Sequence, residues 1–213
     1  MDNKNKKEKA PTVKKEEYAV VLDYLSRGYV KADMSKFGGK PIAQAIGTEQ
    51  FTLLELAPKN GVDLEIQDTV YIGKGKRDKI YRVLGKLDFE NLTATSRIEL
   101  EYAVRDIVEE QEDRFVEFFN TAEALSTRLH KLELIPGIGK KYMWEIIEAR
   151  EEKPFESFED FSQRLPNLAD PAGMIVKRVQ QELDTTTPKR GKNKYNLFTQ
   201  APRPQRRPRK PRK

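Results

Sequence analysis

The chain has 213 residues, 37% of them hydrophobic and 35% charged, with a net charge of +6 and a mean hydropathy of -0.76. That length holds one ordinary domain or two small ones, and so low an apolar fraction suits a folded centre with polar extensions. With no cysteine and a single histidine, His130, a disulfide scaffold, a thiolate zinc finger, a cysteine-ligated iron–sulfur cluster, a cysteine nucleophile and a multi-histidine metal site are excluded.

No metal or other cofactor is therefore expected. No apolar run approaches the length of a membrane span, so no membrane contact is expected, and the lack of cysteine suits a cytoplasmic protein. The charge is unevenly spread. From Pro188 onward there are 11 Lys and Arg and no acid, residues 1–17 carry 6 basic and 4 acidic side chains, and residues 18–187 hold 23 basic against 30 acidic, a net of -7. The high isoelectric point thus belongs to an extension, while the folded part is acidic.

The head, MDNKNKKEKAPTVKKEE (1–17), lacks the apolar segment of a signal peptide and reads as a disordered stretch. From Tyr18 the signals are short apolar runs with turn punctuation. YAVVLDYL (18–25), QFTLLELA (50–57), an alternation of Val62, Leu64 and Ile66 after the turn Pro58-Lys59-Asn60-Gly61, TVYIG (69–73) and KIYRVLGKL (79–87) predict five strands. Five strands in about 70 residues suit a small OB-like barrel.

The last two strands are joined by GKGKRDK (73–79). Lys74, Lys76, Arg77 and Lys79 outweigh Asp78, and the two glycines would let the backbone approach a ligand. The loop is a candidate phosphate contact, or an ordinary solvated hairpin; no GxxxxGK[ST] phosphate loop occurs in the chain. Tyr71 and Tyr81 flank it and either stack on bases or pack in the barrel.

After Leu92 the period becomes helical. Ser96-Arg97-Ile98-Glu99 reads as a capping box, and Leu100, Val104, Ile107 and Val108 as the stripe of a helix whose many acids make it a solvent-side connector. Phe115, Val116, Phe118 and Phe119 form an apolar seam, and Ala122, Leu125, Leu129 and Leu132 a further helical stripe.

The most specific segment is LELIPGIGKKYMWEIIEAR (132–150). Here Gly137 and Gly139 permit a tight turn, Ile138 pins it, and Met143, Trp144, Ile146 and Ile147 face inward from the helix that follows. The turn's amides then lie at a helix start, where the dipole favours an anion, and Lys140 and Lys141 add charge. Such a clip would read nucleic-acid backbone rather than base sequence; the same hairpin could also serve protein contacts. Ser157 caps a third helix with Phe161 and Leu165 inward, and Asp170-Pro171 opens a fourth bearing Met174, Ile175, Val179 and Leu183.

The tail ends APRPQRRPRKPRK (201–213). Arg203, Arg206, Arg207 and Arg209, spaced by prolines, form an arm too polar to order itself and suited to phosphates, although a solubilising tail would look the same.

Residues 121–150 resemble the helix-hairpin-helix motif of nucleic-acid-binding proteins, with Met143 where many members carry alanine. VYIGKGKRDKI, RFVEFFN, STRLHKLELIPGIGKKYMWEI and KPFESFEDF together resemble an uncharacterised archaeal family regarded as RNA-binding. The resemblance spans about residues 18–184 and implies a two-domain nucleic-acid binder linked to RNA or the translation apparatus.

It also raises a rival, a helix-hairpin-helix DNA glycosylase, for which Asp160 stands near the catalytic position; its place in a capping box favours a structural role. Glu145, Glu148 and Glu152 recur at helical spacing as a solvated face would, and His130 lacks an evident partner.

An α+β chain is therefore expected: a disordered head 1–17, an OB-like barrel 18–92, connecting helices 93–119, a helix-hairpin-helix domain 120–184 and a disordered basic tail 185–213. The expected function is non-catalytic nucleic-acid binding, RNA favoured over DNA. The alternatives are a protein adaptor in a ribosomal or transcription complex and a DNA-binding or DNA-repair protein.

Overall fold

The computed structural model describes residues 15–29, 39–186, 191 and 195–199. The head before residue 15 and the arginines at 203, 206, 207 and 209 lie outside the described residues. The chain divides into two units, 1–85 and 86–213.

In the first unit, β1 (Tyr18–Leu25), β2 (Ile42–Gly47), β3 (Leu53–Pro58), β4 (Thr69–Tyr71) and β5 (Ile80–Lys86) form one curled antiparallel sheet, a half-barrel in the order β4-β1-β2-β3-β5. It is open, with β4 and β5 as its edges. The pairing Val20↔Ile46 sets the β1–β2 register, which shifts between Val21 and Asp23. Ala19 to Leu22 are all buried although a half-solvated strand alternates, so both faces of this part of β1 are covered. One face gathers Ala19, Val21, Ala43, Ala45, Leu54, Leu56, Val70 and Ile80 into a core.

Two strand expectations are corrected. Residues 62–66 are not a strand: Val62 N–H closes a turn on Lys59 O, and Asp68 N–H closes another on Glu65 O, so the local alternation never meets a ladder. The fifth strand is instead IAQAIG (42–47), buried at every position and so without the period of a half-solvated strand. Its one large polar residue, Gln44, donates to the Tyr29 hydroxyl at 3.0 Å, which in turn donates to Glu55 at 2.6 Å. Burial and that carboxylate push the Tyr29 phenol up to about 12.

The second unit holds α1 (Ala94–Glu110), α2 (Glu112–Thr121), a two-stranded ribbon of β6 (Ala124–Ser126) and β7 (Leu129–His130), α3 (Lys140–Glu152), α4 (Phe158–Arg164) and α5 (Pro171–Leu183). The cap of α1 is Thr93, whose hydroxyl accepts from Ser96 N–H, one turn earlier than the expected box at Ser96. Nor is α1 a solvent-side connector. Its Leu100, Ala103, Val104, Ile107 and Val108 are buried, and it packs along α5.

The stripe expected over Ala122–Leu132 is also not a helix: the ribbon occupies it, and a single 3-10 turn, Lys131–Leu134, leads into the glycine turn. The aromatic seam does form. Phe119 meets Phe161 at 4.6 Å between ring centroids, Phe161 meets Phe155 at 4.8 Å, and Phe118 meets Phe198 at 5.1 Å. Phe198 falls inside the stretch 185–213 expected to be disordered; residues 195–199 are instead docked on the unit, and Phe198 is buried.

Candidate nucleic-acid interface

In the segment Ile135-Pro136-Gly137-Ile138, Ile138 N–H donates to Ile135 O at 3.1 Å. Proline in second place and Gly137 at φ +89 make it a turn that only glycine enters without strain. Ile138 is buried, as its pinning role requires.

Gly139 is different. Its φ of -90 is open to any residue, and a Cβ there would meet nothing within 4 Å. It is the N-cap of α3, and no side chain caps that helix. Serine, threonine or aspartate would bond one of the first-turn amides; glycine has no side chain to do so, and Gly139 itself is exposed. Lys140 and Lys141 are exposed beside it, with Lys141 held loosely by Glu145 at 3.7 Å.

Of the four α3 residues expected inward, Met143 and Ile146 are buried and Ile147 is half-buried, but Trp144, expected to be the packing centre, is 57% exposed one turn beyond Lys140. His130 has the partner it lacked in the sequence. Its Nδ1 accepts from Leu132 N–H at 3.1 Å, and Glu133 accepts from His130 N–H at 3.0 Å, a capping box for the 3-10 turn. Burial, with Arg150 adding to it, pushes the imidazole below its ordinary value.

Behind the turn lies a feature the sequence did not disclose. Arg178 and Glu182 on α5 form a buried ion pair. Arg178 also donates to Leu134 O, just before the glycine turn, and to Tyr195 O. Glu182 accepts the amides of Leu197, Phe198 and Thr199. One side-chain pair therefore fastens both the glycine turn and the segment from which the arginine-rich tail continues. An Arg and a Glu at i and i+4 were visible, but nothing marked them as buried.

In the first unit, Lys74 and Lys76 are exposed and Arg77 half-buried, its Nε donating to Gly73 O at 2.9 Å. Lys79 is engaged elsewhere. Its ammonium lies 2.7 Å from Asp68 and holds that carboxyl below the usual carboxylate range. The close approach that Gly73 and Gly75 allow is to Tyr71: a Cβ at Gly73 would sit 2.4 Å from the Tyr71 hydroxyl, and Gly75 N–H donates to that oxygen at 3.0 Å.

Asp160 is likewise occupied, accepting Glu156 N–H at 3.1 Å and Arg164 at 3.3 Å. Among the described residues no three His, Asp or Glu side chains gather as metal ligands, and no helix is long and apolar enough to cross a membrane.

Two relatives are similar over most of the chain. An uncharacterized protein of Methanocaldococcus jannaschii, MJ0038, is 50% identical over 184 residues, covering 86% of this chain and 79% of its own. The crystal structure of Af1531 from Archaeoglobus fulgidus is 41% identical with a TM-score of 0.77, covering 87% of this chain and all of its own. A family model described as "Protein of unknown function (DUF655)" matches residues 15–200, so the docked 195–199 segment falls within the match and the arginine-rich end beyond it. The chain belongs to the DUF655 family, which has archaeal members.

Proposed function

We propose that this protein is a non-catalytic nucleic-acid-binding protein that grips the phosphate backbone, RNA in preference to DNA. In this reading residues 131–152 act as a helix-hairpin-helix clip whose first arm is reduced to one 3-10 turn. The amides at the start of α3 donate to a phosphate, and Lys140 and Lys141 flank it.

The observation that carries the reading is Gly139: an uncapped helix start, open to solvent, at a residue whose backbone needs no glycine. The Arg178 anchor adds to it. The same guanidinium holds Leu134 O and Tyr195 O, so the clip and residues 195–199 share one anchor, and the sequence that follows carries Arg203, Arg206, Arg207 and Arg209 as further charges for phosphates. On the first unit, Lys74, Lys76 and Arg77 supply a second basic contact, and the sheet serves as its frame.

Binding of a labelled RNA oligonucleotide at 50 and 200 mM salt tests the proposal. About six neutralised phosphates predict a roughly 10³-fold loss of affinity across that range, and deletion of residues 200–213 should flatten the slope. Equal affinity at both salts, or none at either, overturns it. Capture of protein partners that survive nuclease treatment, without direct RNA binding, would favour the adaptor alternative.

A further inference from the structure

The basic loop of the first unit borders a shallow, open cleft of about 310 Å³ lined by Lys59, residues 73–77, Ile80 and Tyr81. Lys59 comes from outside the loop. It follows β3, and its N–H donates to Lys79 O at 2.9 Å, which fixes it beside the start of β5. Lys59, Lys74, Lys76 and Arg77 thus surround one space, and among the described residues no acid lines it.

The cleft is held in shape before any ligand arrives. Arg77 Nε bonds Gly73 O across the loop, and Gly75 N–H bonds the Tyr71 hydroxyl. Such pre-organisation lowers the ordering cost of binding. The two flanking tyrosines have separate fates. Tyr71 is spent on the loop and on an edge contact with Tyr18 at 5.3 Å. Tyr81 stands at the cleft with 70% of its surface exposed.

We infer that this cleft is a single-nucleotide subsite for an unpaired residue of a nucleic-acid strand, and the inference rests on the proposed function above. The phosphate meets Lys59, Lys74, Lys76 and Arg77, and the base lies on the ring of Tyr81. The volume is at the small end of ligand sites, the size of one nucleotide rather than a duplex groove. A base inside a duplex has both faces covered by its neighbours and cannot stack on Tyr81, whereas an unpaired one can.

The test compares full-length protein and its Tyr81→Ala, Tyr81→Phe and Lys59→Ala variants on a labelled decauridylate and on an RNA duplex of the same length. The Tyr81 side chain is largely solvated, so the variants should keep the parent's denaturation midpoint. Tyr81→Ala should weaken decauridylate binding roughly ten-fold or more and leave duplex binding unchanged, while Tyr81→Phe stays within about two-fold because it keeps the π-face. Lys59→Ala should lower the salt slope by roughly one unit or slightly less.

Unchanged decauridylate binding in Tyr81→Ala, an equal loss on the duplex, or a Tyr81→Phe as weak as alanine overturns the subsite. If Gly139→Asp weakens binding and Tyr81→Ala does not, the subsite fails and the clip stands. If the parent binds neither oligonucleotide, both fail. Displacement of the decauridylate by oligoglutamate as effectively as by unlabelled RNA would show a general acidic-ligand site and also overturn the subsite.

Discussion

Arg178 Nε lies 2.8 Å from Glu182 Oε1 across one turn of α5, and each side chain is 1% exposed. A buried pair repays its desolvation only if the remaining donors and acceptors are used. Here the guanidinium also holds two carbonyls, and the carboxylate takes three amides and the Thr199 hydroxyl. Removing one partner strands a buried charge. Arg178→Met is predicted to cost about 3–5 kcal/mol in chemical denaturation. It should also expose the chain at 195–199 to protease sooner than the parent. The double variant Arg178→Met, Glu182→Met should recover part of the loss.

The glycines at 137 and 139 should respond differently. Gly137→Ala forces a side chain into φ +89 and is expected to cost about 1–2 kcal/mol. Gly139→Asp suits its backbone, caps α3 and complements the helix dipole, for a gain of about 0.3–1 kcal/mol. The same carboxylate would occupy the phosphate position. The variant is therefore predicted to be at least as stable as the parent and to bind RNA at least ten-fold more weakly. Denaturation midpoints and anisotropy titrations on one preparation check both.

His130 should make stability depend on pH. Its native pKa lies below the ordinary 6.5, so as pH falls through that value the unfolded chain takes up a proton before the native one does. The neutral form's contribution is present above 6.5 and is lost as pH falls, until the native imidazole also protonates. Protonation also ends the bond that Nδ1 accepts from Leu132. Denaturation between about pH 7.5 and 5 should show this loss, and His130→Asn, which can still accept from Leu132, should lack the His130 share.

The Tyr71–Gly73 packing gives a coupling prediction. Gly73→Ala should destabilise the first unit, because its Cβ would overlap the Tyr71 hydroxyl. In a Tyr71→Ala background the same change should cost little. Additive effects in the double-mutant cycle would contradict the packing account.

What the sequence disclosed followed local physics. β1 was legible at its observed bounds, and Ser157 and Asp170 cap α4 and α5 as read. The glycine turn and its lysines were found because Pro-Gly-Ile-Gly is stereochemically specific. The failures arose where tertiary context overrode a period. IAQAIG is too fully buried to alternate, while Val62, Leu64 and Ile66 alternate inside a pair of turns. Ala122, Leu125, Leu129 and Leu132 keep a helical spacing across a ribbon. Trp144 looked like core because tryptophan usually is, yet α3 needs only Met143 and Ile146 inside. Phe198 was lost among the charges of the tail, since a docking residue and its distant anchor at Glu182 share no local signal.

The central claim is that the first-turn amides of α3 receive a phosphate. Amide chemical-shift mapping of the full chain, titrated with an RNA oligonucleotide, tests it most directly. The account predicts that the amides from Gly137 to Tyr142 shift with saturable dependence on RNA, and that Gly139→Asp abolishes the response at those residues. Shifts confined to other parts of the chain, with residues 137–142 unmoved at saturation, would contradict it.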